Sequence, residues 1–247
     1  MYNKLHAILR VLSDWRALHA LLTWPKFSLT SYFMVRDLAC QGIRPVTILD
    51  VGANVGQFAV AAARFYPQAR IYSFEPVPDC IAALRSNTAQ LANVTVIALA
   101  LGEVEGQAAM HVNRHRHSSS LLPMTQQHLH AFPDAQEEGI ESIRVSTLDE
   151  QTAALTLSHP CLLKLDVQGF ERQVLAGGRQ TLQQVDYIIV EASLKPLYQG
   201  EMLFMELIEF MRQFGFEFQR PLDWLKSPQT GEVLQMDALF VRQPANR

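Results

Sequence analysis

The fold is decided by residues 47–65, which read TILDVGANVGQFAVAAARF. A short run of β-forming apolar residues ends at Asp50, and an alanine-rich helical pattern begins after Gly56. Gly52 and Gly56 allow a tight turn between the two, and Asn54 tolerates a left-handed conformation better than most residues. The stretch therefore predicts a strand, a tight turn and a helix whose first N–H groups are free to bind a ligand.

Length and composition indicate one large domain. The chain has 247 residues, and 49% of them are hydrophobic, which suffices for a sizeable core. The net charge of −3, from 21 basic and 24 acidic residues, argues against a nucleic-acid-binding protein. The three cysteines are widely separated, so we expect neither a disulfide framework nor a cysteine zinc site, and a cytoplasmic location. We also expect no transmembrane segment and no secretory signal.

Residues 1–44 are expected to form a helical segment packed on a main domain of residues 45–247. Six apolar residues of this segment fall on one helical face, namely Leu5, Ile8, Leu9, Leu12, Trp15 and Leu22. Weak contact of this helix with a membrane surface is an alternative, although its basic residues are few.

From residue 46 onward, strand and helix patterns alternate. Strands are expected at residues 46–51, 70–74, 94–99, 161–167 and 186–193, with helices at 56–65, 78–89, 170–182 and 203–214. Near-continuous apolar strands separated by helices indicate an α/β fold with a parallel sheet covered on both faces. Residues 107–112 read as an extra strand, and FEFQR and DALFVR read as two closing strands. The polar, irregular residues 113–140 are expected to form a lid loop.

The turn after the first strand lacks two common phosphate-binding fingerprints. Its G-A-N-V-G spacing differs from the G-x-G-x-x-G of dinucleotide sites, and no lysine follows Gly56 as in a P-loop. The second strand ends in Glu75, where an acid accepts the two hydroxyls of a ribose. S-adenosylmethionine has a ribose and no pyrophosphate, so it fits. We expect cofactor contacts from Asp50, Gly52, Ala53, Asn54, Gly56, Gln57, Glu75, Pro76 and Asp166.

Seven segments, in order between residues 46 and 200, resemble the FkbM family of S-adenosylmethionine methyltransferases. They read LDVGANVGQF, FEPVPD, VIALALGEVEG, SSSLL, VSTLDE, LLKLDVQGFERQVLAGG and VEASLKPLYQG. The resemblance implies a Rossmann-like sheet of seven strands, mostly parallel with the last antiparallel, and helices on both faces. It also implies methyl transfer, usually to a hydroxyl oxygen of a sugar or natural product. Gln168 departs from the family, in which Glu is frequent at that place.

The fourth strand, CLLKLDV, carries the first candidates for chemistry. Period-two alternation places Lys164 and Asp166 on one face, and Asp166 stands at the carboxyl end beside the expected cofactor. Glu191 ends the fifth strand over the same crevice. We expect Asp166, Lys164 and Glu191 to be catalytic, with no metal. A divalent cation held by Asp166 and Glu191 is an alternative, as is a structural ion pair between Lys164 and a carboxylate. Glu171 is expected at a helix start.

The loop HVNRHRHSSSLL offers a second set of candidates. His115 and His117 titrate near neutral pH, and His117 is included among the expected catalytic residues. The neighbouring arginines would suit an anionic acceptor, and a solvated basic loop is the alternative. The spacing of His111, His115 and His117 would also allow a metal site. Ser119 and Ser120 are expected to contact the acceptor or the cofactor. The segment LKPLYQG, residues 194–200, is expected to form a wall of the acceptor pocket, where Tyr198 offers a ring and a hydroxyl.

The sequence therefore predicts an S-adenosylmethionine-dependent methyltransferase. Its acceptor is expected to be a hydroxyl on a carbohydrate, a glycolipid or a small secondary metabolite. The rival interpretations are a nicotinamide-dependent oxidoreductase and a non-catalytic cofactor-binding module of the same fold. The sequence identifies neither the acceptor nor the oligomeric state.

Overall fold

A seven-stranded sheet forms the centre of the computed structural model, which describes residues 11, 13–113, 119–135 and 137–243. The described strands are β1 (Thr47–Val51), β2 (Arg70–Phe74), β3 (Val94–Ile97), β4 (Ala100–Gly102), β5 (Gly106–Asn113), β6 (Glu137–Thr147), β7 (Cys161–Leu165), β8 (Tyr187–Ser193), β9 (Phe216–Lys226) and β10 (Val233–Arg242). The described helices are α1 (Trp15–Thr23), α2 (Leu29–Cys40), α3 (Gln57–Phe65), α4 (Pro78–Thr88), α5 (Gln126–Ala131), α6 (Leu148–Thr152), α7 (Glu171–Ala176) and α8 (Phe204–Arg212), with a 3-10 helix at Thr181–Gln184.

The large sheet has the strand order β3-β2-β1-β7-β8-β10-β9. The first five strands in this order pair in parallel, whereas β10 runs antiparallel to both β8 and β9. The order of the chain reverses between β1 and β7, and ligands of such sheets bind beyond the carboxyl ends of the strands at that point. The predicted Rossmann-like sheet, mostly parallel with its last strand antiparallel, is confirmed.

Both faces of the sheet are covered by apolar side chains. Leu49 and Leu163 lie in a buried cluster that includes residues of α7 and α8. Ile48 and Leu162, their neighbours in sequence, lie in a second cluster that includes residues of α2 and α3. Because successive side chains of a strand point to opposite faces, one pair of strands supplies both cores. The carboxyl ends of β1 and β7 are thereby held on a rigid support.

The described part of residues 1–44 packs on the face that carries α3. Helix α2 is capped by the Ser28 hydroxyl, which accepts from the Ser31 N–H at 3.3 Å. Tyr32 is buried and makes an edge contact with Phe65 of α3. Helix α1 buries two alanines and leaves a row of large apolar residues exposed, namely Trp15, Leu18, Leu21 and Leu22. Membrane contact and the division at residue 44 stay predictions.

A second sheet of three strands, in the order β4-β6-β5, lies beside the first. The sequence predicts only one of these as an extra strand, because each is short or flanked by irregular sequence. Residues 113–140 are less irregular than expected, since they contain α5 and the start of β6. Their described part is fastened to the segment after β8: Thr125 N–H donates to the Leu197 carbonyl at 2.9 Å, and Gln199 N–H donates to the Pro123 carbonyl at 2.8 Å. A lid function stays a prediction.

The predicted helix at residues 170–182 is divided in the structure. Helix α7 ends at Ala176, and residues 177–180, which begin with two glycines, separate it from the 3-10 helix. A Cβ atom at Gly178 would lie 2.7 Å from Leu148 Cδ2, so close packing requires glycine there. The predicted strand at residues 94–99 is likewise divided, into β3 and β4. Within the described ranges, no helix combines the length and apolar character needed to cross a membrane. The cytoplasmic location stays a prediction.

Candidate active site

A cavity of about 310 Å³ opens beyond the carboxyl ends of the parallel strands, where the strand order reverses. It is lined by the start of α2, the turn after β1, the end of β2, β10 and the ends of β7 and β8. Of the nine predicted cofactor residues, seven line it, namely Gly52, Ala53, Asn54, Gln57, Glu75, Pro76 and Asp166. The predicted catalytic residues Lys164 and Glu191 line it as well. Segments more than a hundred residues apart in sequence thus share one cavity.

The two glycines of the opening stretch are required by their backbone conformation, and Gly52 also by close packing against backbone. Gly52 has φ +80°, and a Cβ atom there would overlap the Asp166 carbonyl oxygen. Gly56 has φ +93° at the start of α3, and a Cβ atom there would lie 2.7 Å from Leu84 Cδ1 of α4. Gly56 does not line the cavity. Gly52 therefore brings the turn against β7, whereas Gly56 brings α3 against α4.

Glu75 holds the turn and faces the cavity. Its Oε2 accepts from Asn54 N–H at 2.8 Å, and its Oε1 accepts from Val77 N–H at 2.9 Å. Burial raises the pKa of this carboxyl to about 7, although the two N–H bonds oppose the rise. Each carboxylate oxygen has two acceptor positions, so each keeps one for a ligand hydroxyl.

Asp50 differs from the prediction that it contacts the cofactor. Its side chain is wholly buried in β1 and does not line the cavity. The Ser73 hydroxyl donates to its Oδ2 at 3.3 Å. Burial raises the pKa of Asp50 to about 6, opposed by the positive charge of Lys164. Asp50 lies within the strand, before the turn begins, and its side chain is therefore buried in the sheet. The sequence pattern alone does not distinguish such a buried acid from one that faces a ligand.

Lys164 and Asp166 form an ion pair, which is one of the alternatives that the sequence leaves open for Lys164. Lys164 Nζ donates to Asp166 Oδ2 at 3.0 Å. The side chain of Lys164 is 7% exposed, whereas that of Asp166 is 36% exposed. Although burial disfavours a charged amine, Asp166 and Asp50 hold the pKa of Lys164 above its usual value. Both members of the pair line the cavity, and the carboxylate is the more exposed of the two.

Glu191 and Asp237 bring two further acids to the cavity. Glu191 lies two residues before the end of β8, opposite Asp237 of β10 in the sheet register. Burial, together with Asp166 and Asp237, raises the pKa of Glu191 well above its usual value. Burial likewise raises the pKa of Asp237 to about 7. Asp237 was missed by the sequence reasoning, and its signal is an acid within the apolar strand DALFVR.

The turn after β7 is held by side-chain hydrogen bonds. Glu171 begins α7 as expected, and its Oε1 accepts from Val167 N–H at 3.1 Å and from Gly169 N–H at 3.3 Å. The Ser120 hydroxyl donates to the Gln168 carbonyl at 2.6 Å. Ser120 is therefore a support of the turn, whereas Ser119 lines the cavity as expected for a contact residue.

Other residues of the predicted loop set have different outcomes. His115, His117 and the neighbouring arginines lie outside the described residues, so the catalytic role of His117 stays a prediction. Tyr198 does not form a cavity wall, because it is 1% exposed and its hydroxyl donates to Gln168 Oε1 at 2.6 Å. The start of α2 lines the cavity through Ser28, Thr30, Ser31 and Met34, which no sequence motif indicates.

The alternative of a divalent cation between Asp166 and Glu191 is not matched by the structure, in which a side chain lies between these two acids. Gln168 Nε2 donates to Asp166 Oδ1 at 2.9 Å and to Glu191 Oε2 at 2.8 Å, so an amide bridges the two acids. Over the described part of the chain, no three His, Cys, Asp or Glu side chains are grouped as for a metal ion. The cation alternative is therefore not supported by a ligand set in these residues.

Four features define a cofactor-dependent α/β enzyme of the Rossmann-like methyltransferase class. They are the reversal of strand order, the glycine turn after β1, the acid at the end of β2 and the ion pair at the end of β7. Residues 50–218 match the family model described as the methyltransferase FkbM domain. The chain belongs to the FkbM methyltransferase family, and it is an enzyme of that class. The predicted family is thus confirmed, and the oxidoreductase and non-catalytic alternatives are set aside.

Two proteins of similar sequence have names that state a methylation reaction. The 2-O-methyltransferase NoeI of Sinorhizobium fredii is 27% identical, over 70% of this chain and 74% of that protein. The hexuronic acid methyltransferase AglP of Haloferax volcanii is 30% identical, over 58% of this chain and 54% of that protein. The chain therefore matches about half the length of the second relative.

Proposed function

We propose that this enzyme transfers a methyl group from S-adenosylmethionine to a hydroxyl oxygen of a carbohydrate. The observation that carries the proposal is the cavity shared by Glu75 and the partly exposed Asp166. Family membership supports methyl transfer, and the two relatives named for oxygen and hexuronic acid methylation support a sugar acceptor. A glycolipid or secondary-metabolite hydroxyl presents the same chemistry to the site.

The residues at the cavity fit S-adenosylmethionine. Glu75 keeps acceptor positions for ribose hydroxyls, and apolar side chains that line the cavity, such as Val77 and Leu101 of β4, offer a surface for the adenine. Four carboxyl groups and one ammonium line the described cavity, contributed by Glu75, Asp166, Glu191, Asp237 and Lys164. The partly exposed Asp166 carboxylate suits a positively charged sulfur. The cofactor, when bound, supplies an electrophilic methyl group on that sulfur.

The chain supplies alignment and a base. Asp166 is the more exposed partner of its ion pair, so we assign to it the role of the base that accepts the proton of the acceptor hydroxyl. Lys164 Nζ donates to Asp166 Oδ2 at 3.0 Å, so the ion pair holds the carboxylate in place while it faces the cavity. A positioned base contributes about 10²–10⁴-fold in rate. Alignment supplies roughly 7–11 kcal/mol of the barrier, which is the larger part. A variant without the base is therefore expected to be slow and still measurably active.

Asp166→Asn tests the base. The amide preserves shape and cannot take the proton, so we expect kcat to fall by about 10²–10⁴-fold. The affinity for S-adenosylhomocysteine should stay within a few-fold, since Glu75 is unchanged. Turnover is measured as S-adenosylhomocysteine formed with a panel of neutral and uronic-acid glycans. Asp134→Asn, at an exposed position, is the matched control. Wild-type turnover of Asp166→Asn would remove Asp166 from this role.

A further inference from the structure

Gln168 lies between the two acids at the ends of β7 and β8. Its Nε2 donates to Asp166 Oδ1 at 2.9 Å and to Glu191 Oε2 at 2.8 Å. A side-chain amide has two N–H donors, so one is available for each carboxyl group. The neutral amide thus occupies the position between two acids that a cation or a shared proton would otherwise take.

The orientation of this amide is fixed from its other side. Tyr198 hydroxyl donates to Gln168 Oε1 at 2.6 Å. A flipped amide would direct its oxygen at Asp166 Oδ1 and Glu191 Oε2, and Gln168 would lose its N–H donations to both acids. Tyr198, Asp166 and Glu191 together therefore admit one orientation of the amide.

Tyr198 is itself immobilised by packing. A Cβ atom at Gly169 would lie 2.8 Å from Tyr198 Cβ, so the tyrosine lies directly on the backbone of the turn. The ring of His128 contacts the tyrosine ring edge-on, with centroids 5.1 Å apart. Tyr198 N–H donates to Glu201 Oε1 at 2.8 Å. A buried and fully held tyrosine gives Gln168 a rigid reference point.

The backbone of Gln168 is held in a conformation that side-chain-bearing residues seldom adopt. Its φ is +56°, in the left-handed region. The Ser120 hydroxyl donates to its carbonyl oxygen at 2.6 Å. Such a conformation persists where surrounding contacts hold it, and it is concentrated at functional sites. Here it turns the side chain back across the ends of β7 and β8.

The charges around Gln168 show what the amide does for Asp166. Lys164 donates to one oxygen of Asp166, and Gln168 donates to the other. Both oxygens are thus fixed, and the carboxylate plane cannot rotate away from the cavity. Among the described residues, further titratable groups lie around this region, namely Asp50, Glu75, Glu171 of α7, Glu191 of β8, Glu201, Asp237 of β10, Tyr198 and His128.

We propose that Gln168 is a positioning residue that clamps Asp166 and Glu191 through its neutral amide and aims the Asp166 carboxylate at the acceptor hydroxyl. The proposal rests on the proposed function, because it gives Asp166 the acceptor proton. Gln168 acts through Asp166. It should therefore influence kcat far more than the binding of the cofactor.

Gln168→Glu tests the clamp with almost no change of shape. It removes both N–H donors and places a third carboxyl group beside Asp166 and Glu191. We expect kcat to fall at least about tenfold, with the dissociation constant of S-adenosylhomocysteine within about twofold of wild type. Tyr198→Phe, which removes only the hydrogen bond from the tyrosine hydroxyl to Gln168 Oε1, should lower kcat by a smaller factor. Wild-type kcat in Gln168→Glu would overturn the proposal.

Gln184→Glu is the matched control. It makes the same substitution at an exposed residue of the 3-10 helix. This helix directly precedes β8, so it lies at the amino end of that strand, whereas the cavity lies at the carboxyl end. A loss of kcat in this variant equal to that of Gln168→Glu would show a general charge effect and overturn the clamp.

A second readout needs no acceptor. Carbon-13 NMR of the Asp and Glu carboxyl groups, assigned with Asp166→Asn and Glu191→Gln, should show both signals displaced in Gln168→Glu and neither displaced in Gln184→Glu. Unmoved signals in Gln168→Glu would overturn the clamp. Absence of S-adenosylhomocysteine formation by wild type with every glycan would instead contradict the proposed function, and the NMR comparison would still decide on Gln168.

Discussion

At the scale of single residues, cofactor binding is expected to depend on Glu75. Glu75→Ala removes the acceptor for ribose hydroxyls and also leaves Asn54 N–H and Val77 N–H without their shared partner. We expect the affinity for S-adenosylhomocysteine, measured by calorimetry, to fall at least about tenfold, or ~1.4 kcal/mol. Glu217→Ala, at an exposed position of β9, is the control. Unchanged affinity in Glu75→Ala would contradict this assignment.

Glu171 makes stability depend on pH in a stated direction. Burial raises its pKa from about 4.5 to about 8, against the pull of the Val167 and Gly169 N–H bonds. The folded state therefore binds the proton more tightly than the unfolded state, so this stabilising contribution is present below pH 4.5 and lost as pH rises to 8. We expect Glu171→Gln, which cannot ionise, to show a shallower decline in the free energy of unfolding over that interval.

Denaturant titrations at several pH values measure this decline. Glu150→Gln, in the exposed first turn of α6, is the matched control and should decline as wild type does. Equal slopes for Glu171→Gln and wild type would show that Glu171 ionises in the folded protein as it does in the unfolded chain.

Sequence reasoning at this scale succeeds where the chemistry is local. Alternation places Lys164 and Asp166 on one face, and the structure pairs them there, because two residues of one strand suffice for this contact. The roles of Gln168 and Tyr198 could not be predicted, because their hydrogen bond joins residues 30 positions apart through a left-handed turn. Asp50 is the opposite kind of error, because the sequence predicts a contact with the cofactor and the residue is instead buried within the sheet.

At the scale of elements, the turn between β1 and α3 is defined by the approach of its backbone to β7. Gly52→Ala would combine an unfavourable φ of +80° with overlap on the Asp166 carbonyl. Gly42→Ala is a matched control, because Gly42 has φ +81° and open space around its Cβ position. We expect Gly42→Ala to cost roughly 1–2 kcal/mol. Gly52→Ala should cost a further ~1–3 kcal/mol from overpacking.

Chemical unfolding of the two variants measures the difference. Similar losses of stability would show that backbone strain alone governs Gly52, and would contradict the close approach of the turn to β7. A larger loss in Gly52→Ala, accompanied by weaker S-adenosylhomocysteine binding, is the expected result.

Elements with a strong local pattern were predicted well. The bounds of β2 agree with residues 70–74, and β1 and α3 differ from prediction by a residue. The divided helix after β7 was not predicted, because the packing of Gly178 on Leu148 depends on a distant part of the chain. The small sheet was missed for a similar reason, since β4 and β6 pair across more than forty residues.

At the scale of the whole molecule, the cavity is assembled from both ends of the described chain. The start of α2 lines it with Ser31 and Met34, and β10 lines it with Asp237. Sheet order explains this, because β10 inserts beside β8 and α2 covers the face behind β1. No sequence motif indicates such contributions, since they follow from topology. The acidic lining likewise belongs to the fold and is independent of the small net charge of −3.

The central claim is methyl transfer from S-adenosylmethionine to a sugar oxygen, and one measurement tests it most directly. Wild-type enzyme is incubated with S-adenosylmethionine carrying a carbon-13 methyl group and the glycan panel, and the products are examined by proton–carbon correlation NMR. We expect a new carbon-13 methyl ether signal on a sugar ring, formed in equal amount with S-adenosylhomocysteine and nearly lost in Asp166→Asn. Methyl ester or N-methyl signals, or no labelled glycan at all, would contradict the claim.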